Sequence, residues 1–537
     1  MIFVPVYLVF VPILAAMIIF LFQKPKMAYL ALVAQGVVTV LAVWYFLTFR
    51  DDYSQTFFTF GGWNNLIGIG FRNDAISISF LFLSIFIWWM VLIYTFNAKK
   101  DTRNFLFFLL FLEGVFFGLI QTNDLFNMFV FIELTTILVS ILVAYEKAGD
   151  SFRAAIYYLL LNTAGVLAFL LGIILLYYSF GNININQITT MIASSDLSET
   201  TTVRFAYVLL MSGIAVKSAM FPLFTWLPRA HAVAKSGVSA LLSGIVVKGG
   251  LYLFIRISLM FAAAPYDTSM FFFAIGATTA IVGVMFAMTQ KDIKQILAYH
   301  TVSQIGIMMM GLSSTDSLTF SGGLLHLYNH ALFKSLLFLG AGIIVNVYKT
   351  KNIKYIRGVF RAMPLLSILM IVGMLSISGS PLFNGFISKS VIKYGLTDAQ
   401  YWLLQIVNLG TATSFLKMSQ IFFGPRTLSY PLVRKREYLP VALLAVACLT
   451  MGVLHVPIAD FVLDVDLAKF KPISLQYVFE YGLMLGAGFL LYKYVIDKDY
   501  KPVQWIRNFR ISFETANYMF LLYFTVMIGV FVVYPML

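Results

Sequence analysis

The sequence has little charge and a single cysteine. Of its 537 residues only 11% are charged and 61% are hydrophobic, whereas about a quarter of a soluble domain is charged. This composition excludes a soluble protein and predicts one that crosses a membrane many times. The lone Cys448 excludes a disulfide framework and a thiolate metal site built within the chain. Without a cysteine cluster or the glycines of a Rossmann motif, no cofactor is predicted.

The apolar residues occur in runs of about 20, each long enough to cross about 30 Å of hydrocarbon as a helix. Polar and apolar residues do not alternate along these runs, which argues against membrane strands. We therefore predict an all-α polytopic membrane protein with about 14–16 transmembrane helices. The sixteen runs, numbered as spans in chain order, cover residues 2–22, 27–48, 76–97, 104–121, 123–145, 154–179, 205–228, 238–262, 269–290, 293–313, 320–347, 364–393, 399–423, 437–456, 474–496 and 513–535. Span 1 has no signal-peptide cleavage site and is interpreted as a true span.

The loops between the spans alternate in charge. Basic residues follow odd-numbered spans, for example Lys349, Lys351, Lys354, Arg357 and Arg361 after span 11. Acidic residues follow even-numbered spans, among them Asp196, Glu199 and Asp267. By the positive-inside rule, the N-terminus then lies outside the cell (inner) membrane and the odd loops lie in the cytoplasm. Because this placement accounts for the formal charge of +14, we predict no nucleic-acid partner.

Two spans contain the same tripeptide, Pro-Leu-Phe, at Pro222 in span 7 and at Pro381 in span 12. The copies are five spans apart, an odd number, so the two helices would run in opposite directions. Lys248 in span 8 and Lys417 in span 13 follow the two prolines as a matched pair. We predict two inverted five-helix repeats with broken helices 7 and 12, a pattern typical of ion paths in transporters. The alternative is a chance tripeptide with an ordinary proline kink.

The predicted repeat divides the chain into four regions. Residues 1–103 contain spans 1–3 and a Gly- and aromatic-rich segment, residues 50–75, that is expected to form an outer hairpin. Residues 104–262 form the first repeat, residues 269–423 the second, and residues 437–537 the last three spans. The polar segment 181–203 is predicted to contain one short surface helix.

Glu133 and Lys217 lie near the centres of spans 5 and 7. A charge at this depth costs roughly 2.5–3.5 kcal/mol even on lenient insertion scales, and two opposite charges can partly offset that cost by pairing. Burial also makes the ammonium easier to deprotonate, so Lys217 could load and release a proton. The alternative is a static salt bridge that clamps two helices.

Four further groups in the middle of the chain are predicted to take part in a proton relay. Span 11 places His326, His330 and Lys334 at i, i+4 and i+8, along one helix face, and histidine titrates near neutral pH. A metal site is disfavoured because no acidic residue is nearby and the third member is a cation. Lys248 has no acid in its own span, and its alternative role is a backbone contact in a tight bundle.

The remaining candidates extend this row of groups. His300 in span 10 is either a neighbour of the span 11 residues or an ordinary core histidine. Lys389, just past the break at Pro381, is the predicted exit lysine. Glu113 and Lys417 are secondary candidates. No partner is assigned to Glu113 or to Glu480 in span 15, and Glu480 is expected to face lipid or another subunit.

The segments around these groups resemble a known family. They read NDLFNMFVFIE, VKSAMFPLFTWLPRAH, SALLSGIVVKGGLYLFIRI, QKDIKQILAYHTVSQIG, LLHLYNHALFKSLLFLGAG and SGSPLFNGFISK, between about residues 70 and 420. They are similar to the antiporter-like subunits of Mrp cation/proton antiporters, membrane-bound hydrogenases and respiratory complex I. The resemblance implies 14 core helices, a central hydrophilic axis, an ion pair of Glu133 and Lys217, a connecting Lys248 and an outer Lys389.

The pattern of span 8 is most similar to the D-type Mrp subunit, because Ser243 stands where some members carry histidine. About 80 residues with two more spans follow span 14, and the short link 497–512 does not suggest the long lateral helix of the largest complex I member.

From the residues and the resemblance we expect a proton-translocating subunit that works with other membrane subunits in the lipid bilayer, with protons and Na⁺ as candidate ions and cation (Na⁺)/proton antiport as the expected activity. One alternative is the ion-pumping subunit of a redox-driven complex, which would carry no redox site itself. Another is a stand-alone secondary transporter. A third is a structural or quinone-site subunit.

Overall fold

The computed structural model describes residues 3–22, 24–50, 52, 56–64, 68–96, 100–146, 148–425, 433–463 and 465–534. Every predicted span corresponds to helix in this part of the chain, although residues 2, 97 and 535, which are end residues of spans 1, 3 and 16, lie outside it. The membrane helices are α1 Val4–Leu21, α2 Leu30–Phe49, α3 Ala75–Thr95, α4 Lys100–Gln121, α5 Leu125–Ala144, α6 Gly149–Phe180, α7a Thr201–Lys217 with α7b Trp226–Val233, α8 Ser236–Met260, α9 Ser269–Thr289, α10 Ile293–Leu312, α11 Ser317–Tyr348, α12a Pro364–Ser378 with α12b Asn384–Tyr394, α13 Asp398–Ser419, α14 Lys435–Val453, α15 Leu475–Leu491 and α16 Phe513–Ile528.

Eleven of the described helices are long and apolar enough to cross a membrane. Of the other five, α7 and α12 are divided by breaks, α10 and α13 contain more polar residues, and α15 has 17 residues. The prediction of an all-α polytopic protein with broken helices 7 and 12 is therefore confirmed.

A pair of backbone bridges shows the internal repeat directly. Asp124, just before α5, pairs in antiparallel fashion with Asn184, and Asp292, just before α10, pairs in the same way with Asn352. The hydrogen bond from the Leu125 amide to the Ile183 carbonyl and that from the Ile293 amide to the Lys351 carbonyl are both 2.9 Å long. Because α10 is the fifth helix after α5, an odd offset, the two helices run in opposite directions and the two bridges lie at opposite ends of the bundle.

Aspartates also define where several helices begin. The carboxylate of Asp124 accepts the Asn127 amide, that of Asp292 accepts the Lys294 amide, and that of Asp316 accepts the Thr319 amide. A side-chain oxygen at this position satisfies an amide that has no partner within the helix.

The two predicted extramembrane elements are present where the structure describes them. Strands β1 Phe58–Thr59 and β2 Gly70–Phe71 pair in antiparallel fashion within the predicted hairpin, of which residues 51, 53–55 and 65–67 lie outside the described part. Helix Ile185–Ser194 is the predicted surface helix of segment 181–203.

The centre of the protein is formed by the helices that carry the ionisable groups. The apolar stretch of α8 is completely buried, and α11 is buried from Gly322 to Ile344. Helix α8 contains a π-helical turn, Leu242–Val246, that ends two residues before Lys248. Such turns are rare and occur often at functional sites.

The two C-terminal helices contact both repeats. Helix α15 packs against α13, and α16 packs against α7a. The link between them is attached by Asp499, which pairs with Lys291 at 2.8 Å and also with Arg507. The Arg229 guanidinium donates to the Ile511 carbonyl. The link is short, as expected, and it joins the halves of the molecule.

Candidate functional site

The first break lies between α7a and α7b. Helix α7a ends at Lys217, and Ala219 has a left-handed backbone with φ 53°. The Val216 carbonyl accepts the indole N–H of Trp226 at 2.9 Å, and the Phe221 amide donates to the Thr279 hydroxyl at 2.9 Å. The break predicted from Pro222 therefore frees backbone groups that are satisfied from both repeats.

The second break, predicted from Pro381, lies between α12a and α12b. Gly379 and Leu382 both have left-handed backbones, with φ 79° and φ 80°. The Lys389 ammonium returns to the break and donates to the Ile377 carbonyl at 2.9 Å. A lysine here thus takes the role that the Trp226 indole takes at the first break.

Glu133 and Lys217 come close together without forming the expected direct ion pair. The Lys217 ammonium donates to Thr136 Oγ1 at 2.7 Å and to the Tyr158 hydroxyl at 3.4 Å. One oxygen of Glu133 accepts from the Thr163 hydroxyl at 3.1 Å, and its other oxygen has no partner among the described residues. The carboxylate still attracts the ammonium electrostatically. The hydroxyl of Thr136, one helical turn after Glu133, takes the place of the direct contact.

Lys248 of the first repeat contacts His330 of the second. The Lys248 ammonium lies 2.7 Å from His330 Nδ1 and also donates to the Ser243 carbonyl within the π-helical turn. Both side chains are fully buried. Because a hydrogen bond needs one donor proton and one lone pair, the Lys–His contact holds a single shared proton. The two nitrogens are close enough for a proton to pass from one to the other.

The other two groups of α11 have different partners. His326 lies 2.9 Å from the Ser388 hydroxyl and 3.1 Å from the Gln304 side-chain oxygen. The Lys334 ammonium donates to the Leu297 carbonyl at 2.5 Å. The three groups of α11 therefore face different neighbours: His326 contacts α10 and α12b, His330 contacts α8, and Lys334 contacts α10.

The remaining candidates lie within electrostatic reach of one another. The charges of Lys389 and Lys248 both act on His326. His300 stacks on Phe415, with 4.7 Å between ring centroids. The charges of Lys334, Lys417 and Lys389 act electrostatically on its ring. No ring nitrogen of His300 has a partner among the described residues.

Sequence reasoning left out His231, which lies in the same region. Its ring stacks on Phe338, with 4.6 Å between the ring centroids. The charges of Lys334, Lys294 and Lys248 act electrostatically on this ring. Its position in α7b, close behind Pro222, was the available signal. The hydroxyl and amide partners were also missed: Thr136, Tyr158, Thr163, Ser243, Gln304 and Ser388. Several of them lie within one turn of a predicted ionisable residue in the sequence.

The two secondary candidates, Lys417 and Glu113, lie in different surroundings. Lys417 donates to the Met288 and Gln290 carbonyls at 2.5 and 2.6 Å, so it caps the C-terminal end of α9. Both carboxylate oxygens of Glu113 on α4 lack a hydrogen-bond partner among the described residues. No hydrogen bond among the described residues joins Glu113 to the other candidate groups.

An ion pair that was not predicted lies at the N-terminus of α3. Asp74 binds Arg256 of α8 with both carboxylate oxygens, at 2.6 and 2.7 Å. Burial raises the pKa of the Asp74 carboxyl, but the Arg256 guanidinium and the Ser77 amide outweigh this and hold its pKa well below the usual range. The pair fastens α8 two turns beyond Lys248.

Comparison with protein families identifies the bundle around this row. Residues 122–416, more than half of the chain, match the family described as NADH:quinone oxidoreductase/Mrp antiporter, transmembrane region. The chain belongs to this family. The match covers α5 to α13, and therefore both breaks and all of the two repeats except α4, so the resemblance inferred from the motifs is confirmed.

Relatives in Staphylococcus aureus bear the name "Putative antiporter subunit mnhD2". The protein of strain N315 is 29% identical over 419 residues, which cover 77% of this chain and 83% of the relative. That of strain Newman is 28% identical over 459 residues, covering 82% and 91% of the two chains. The similarity therefore extends well beyond the repeats.

Solved structures share the fold. A chain of the membrane-bound sulfane sulfur reductase, an archaeal respiratory complex, superposes with a TM-score of 0.81 at 24% identity, covering 90% of this chain and 99% of its own. A chain of the Mrp complex from Dietzia sp. DQ12-45-1b gives 0.77 at 21% identity, with 94% and 99% coverage. A chain of respiratory complex I from Thermus thermophilus gives 0.75 at 22% identity, with 91% and 99% coverage.

Proposed function

We propose that this antiporter-like subunit translocates protons across the cell membrane within a multi-subunit complex, in exchange for a cation, with Na⁺ as the candidate. The proposed route is the row Glu133, Lys217, Lys248, His300, His326, His330, Lys334 and Lys389. One observation carries the proposal: Lys248 and His330 share a hydrogen bond across the boundary between the two repeats.

The chemistry of the row supports proton movement rather than binding of a dehydrated cation. Na⁺ requires a cluster of oxygen ligands, whereas this row consists mostly of amines and imidazoles. Buried amines and imidazoles can each bind and release a proton. The polar atoms that have no partner among the described residues, such as His330 Nε2 and Ser218 Oγ, are where we expect water to complete the route.

A subunit role is proposed from the relatives and from the surface. The named relatives are antiporter subunits, and the solved structures of similar fold are complexes. Helices α15 and α16 also present large exposed apolar side chains, including Phe479, Leu483 and Leu522, that suit lipid or a neighbouring subunit. We place the N-terminus outside the membrane by the positive-inside rule.

The test uses everted vesicles from cells that produce the complete complex. Adding Na⁺ to vesicles with an imposed proton gradient is expected to dissipate the gradient, as followed by the fluorescence of a ΔpH-sensitive dye. Lys217→Ala and Glu133→Ala should abolish this response, while Lys354→Ala, in an exposed loop, should not.

Two results would overturn the proposal in different ways. A full response from Lys217→Ala in an assembled complex would remove the proton route. Proton movement that ignores cations and instead needs a redox substrate would replace antiport with redox-driven pumping, and co-purified iron–sulfur subunits would identify that drive.

A further inference from the structure

A polar cavity of about 120 Å³ lies between α12b, α13 and α15, next to the end of the proposed row. Its walls include Lys389 and Lys393 of α12b, Asn408 of α13, and Glu480 and Tyr481 of α15. A polar space of this size holds several water molecules. The cavity therefore brings water to the last buried lysine of the row.

Residues that line the cavity also contact one another. The Ser378 hydroxyl and the Tyr481 hydroxyl are 2.7 Å apart and join the second break to α15. Gly379 borders the cavity, and a Cβ there would lie 3.3 Å from the Lys389 side chain. The side-chain oxygen of Asn408, a residue that is 8% exposed, has no partner among the described residues. Its carbonyl is thus available to a water molecule in the cavity.

Glu480 is a carboxylate within a membrane helix, where an ionised group is costly. Its Oε1 accepts from the Gln476 amide at 2.8 Å, and no ion pair involving it occurs among the described residues. Sequence analysis expected it to face lipid or a subunit. Its place on the cavity wall, opposite two lysines, gives it a polar environment.

All three walls belong to the same side of the membrane. Helix α12b ends there, while α13 and α15 begin there. In the proposed orientation this is the outer side, because even-numbered spans run outward. Helix α15 belongs to the C-terminal addition, so it supplies this half of the molecule with an acid that the repeat itself lacks at the cavity.

We propose that this cavity is the outer vestibule of the proton route and that Glu480 exchanges protons between Lys389 and external water. The Lys389 ammonium gives a proton through cavity water to the Glu480 carboxylate, which leaves a neutral amine and a carboxylic acid. The acid then releases the proton to the outer solution and becomes a carboxylate again. This inference depends on the proposed function, and the tests below separate the two.

Water access can be tested without measuring transport. The buried Cys448 is replaced by alanine, and single cysteines are introduced by Glu480→Cys, Asn408→Cys and Leu483→Cys in the complete complex. The membrane-impermeant thiol reagent MTSET, added from outside, should modify the first two and spare Leu483→Cys, which faces away from the cavity wall. Protection of both cavity cysteines, or modification only from the cytoplasmic side, would overturn the vestibule.

Transport then tests the role of the carboxylate. We expect Glu480→Gln to reduce cation-driven proton movement about tenfold or more, the scale of a lost proton-transfer group, and Glu480→Asp to restore most of it. Glu514→Gln, at the exposed start of α16, is the matched control. Normal transport by Glu480→Gln while Lys217→Ala is inactive would remove the vestibule role alone. Normal transport by Lys217→Ala would remove the proposed function itself.

Discussion

Lys248 and His330 belong to different repeats, and their nitrogens lie 2.7 Å apart in the centre of the protein. The π-helical turn before Lys248 presents the Ser243 carbonyl to the same ammonium. The ammonium is thus held between a fixed acceptor in its own helix and a titratable acceptor in the other half. A proton that passes between the repeats would use this contact.

Replacing either partner of this contact should disable proton transfer between the halves. Lys248→Ala and His330→Ala are each expected to reduce proton movement about tenfold or more, since a charge-assisted hydrogen bond contributes roughly 1.5–3 kcal/mol. The double variant should be no slower than the slower single variant, because the two groups act as one unit. The dye assay in everted vesicles measures all three. Multiplicative losses in the double variant would show that the two residues work independently.

Thr136 should be needed for fast transport, because its hydroxyl accepts a hydrogen bond of 2.7 Å from the Lys217 ammonium. Thr136→Val removes this acceptor and is expected to slow transport several-fold, the effect of about 1 kcal/mol from one hydrogen bond. Thr135→Val is the control, since the Thr135 hydroxyl donates only to the Phe131 carbonyl of its own helix. Equal activities of the two valine variants would contradict a role for Thr136 in holding Lys217.

Gly250 should be essential for packing of α8 against the first break. A Cβ at this position would lie 2.5 Å from Ser218 Oγ and 2.9 Å from the Lys217 carbonyl carbon, which is backbone and cannot turn away. Gly250→Ala is therefore expected to cost about 1–3 kcal/mol through overpacking and to lower the apparent melting temperature of the detergent-solubilised complex. Gly482→Ala, where the new Cβ would meet nothing within 4 Å, should not lower that temperature.

The Asp74–Arg256 pair should contribute stability that depends on pH. The pKa of Asp74 is held below its ordinary value in the folded protein, so the unfolded carboxyl binds a proton more readily. The contribution is then complete above about pH 4, the pKa of a free carboxyl, and is lost as the pH falls toward the lower folded pKa.

Arg256→Gln should remove this contribution. Since both side chains retain some exposure, 15% and 26%, we expect a loss of about 1–3 kcal/mol at neutral pH. Thermal unfolding of the two proteins between pH 7 and pH 3 gives the measurement. Their melting temperatures should converge in acid, and a constant difference across this range would rule out the ion pair as its cause.

The membrane helices and their breaks were predictable from the sequence. Hydropathy and helix length are properties of contiguous residues, so each of the sixteen spans has a helical counterpart. The repeated tripeptide located both breaks, because proline removes a backbone donor wherever it stands. The burial of Lys217, Lys248 and Lys389 also followed from their depth in apolar runs.

The partners of the buried charges were not predictable in this way. Glu133 and Lys217 were expected to form an ion pair, yet the hydroxyls of Thr136 and Tyr158 accept the hydrogen bonds of the Lys217 ammonium. Lys417 was matched to Lys248 by its spacing, but it caps the carbonyls at the end of α9. Depth in a span does not determine which way a helix is rotated or which neighbour it faces.

The sequence by itself determined that this chain is a bundle of membrane helices with two inverted repeats and a set of ionisable groups too costly to leave in lipid. Only the tertiary structure decided that Lys248 contacts His330 across the repeats, and that Glu480 and Lys389 line the same cavity. The physical reason is that hydrophobic burial depends on composition along the chain, whereas a hydrogen bond depends on the position of two atoms that packing brings together from distant helices.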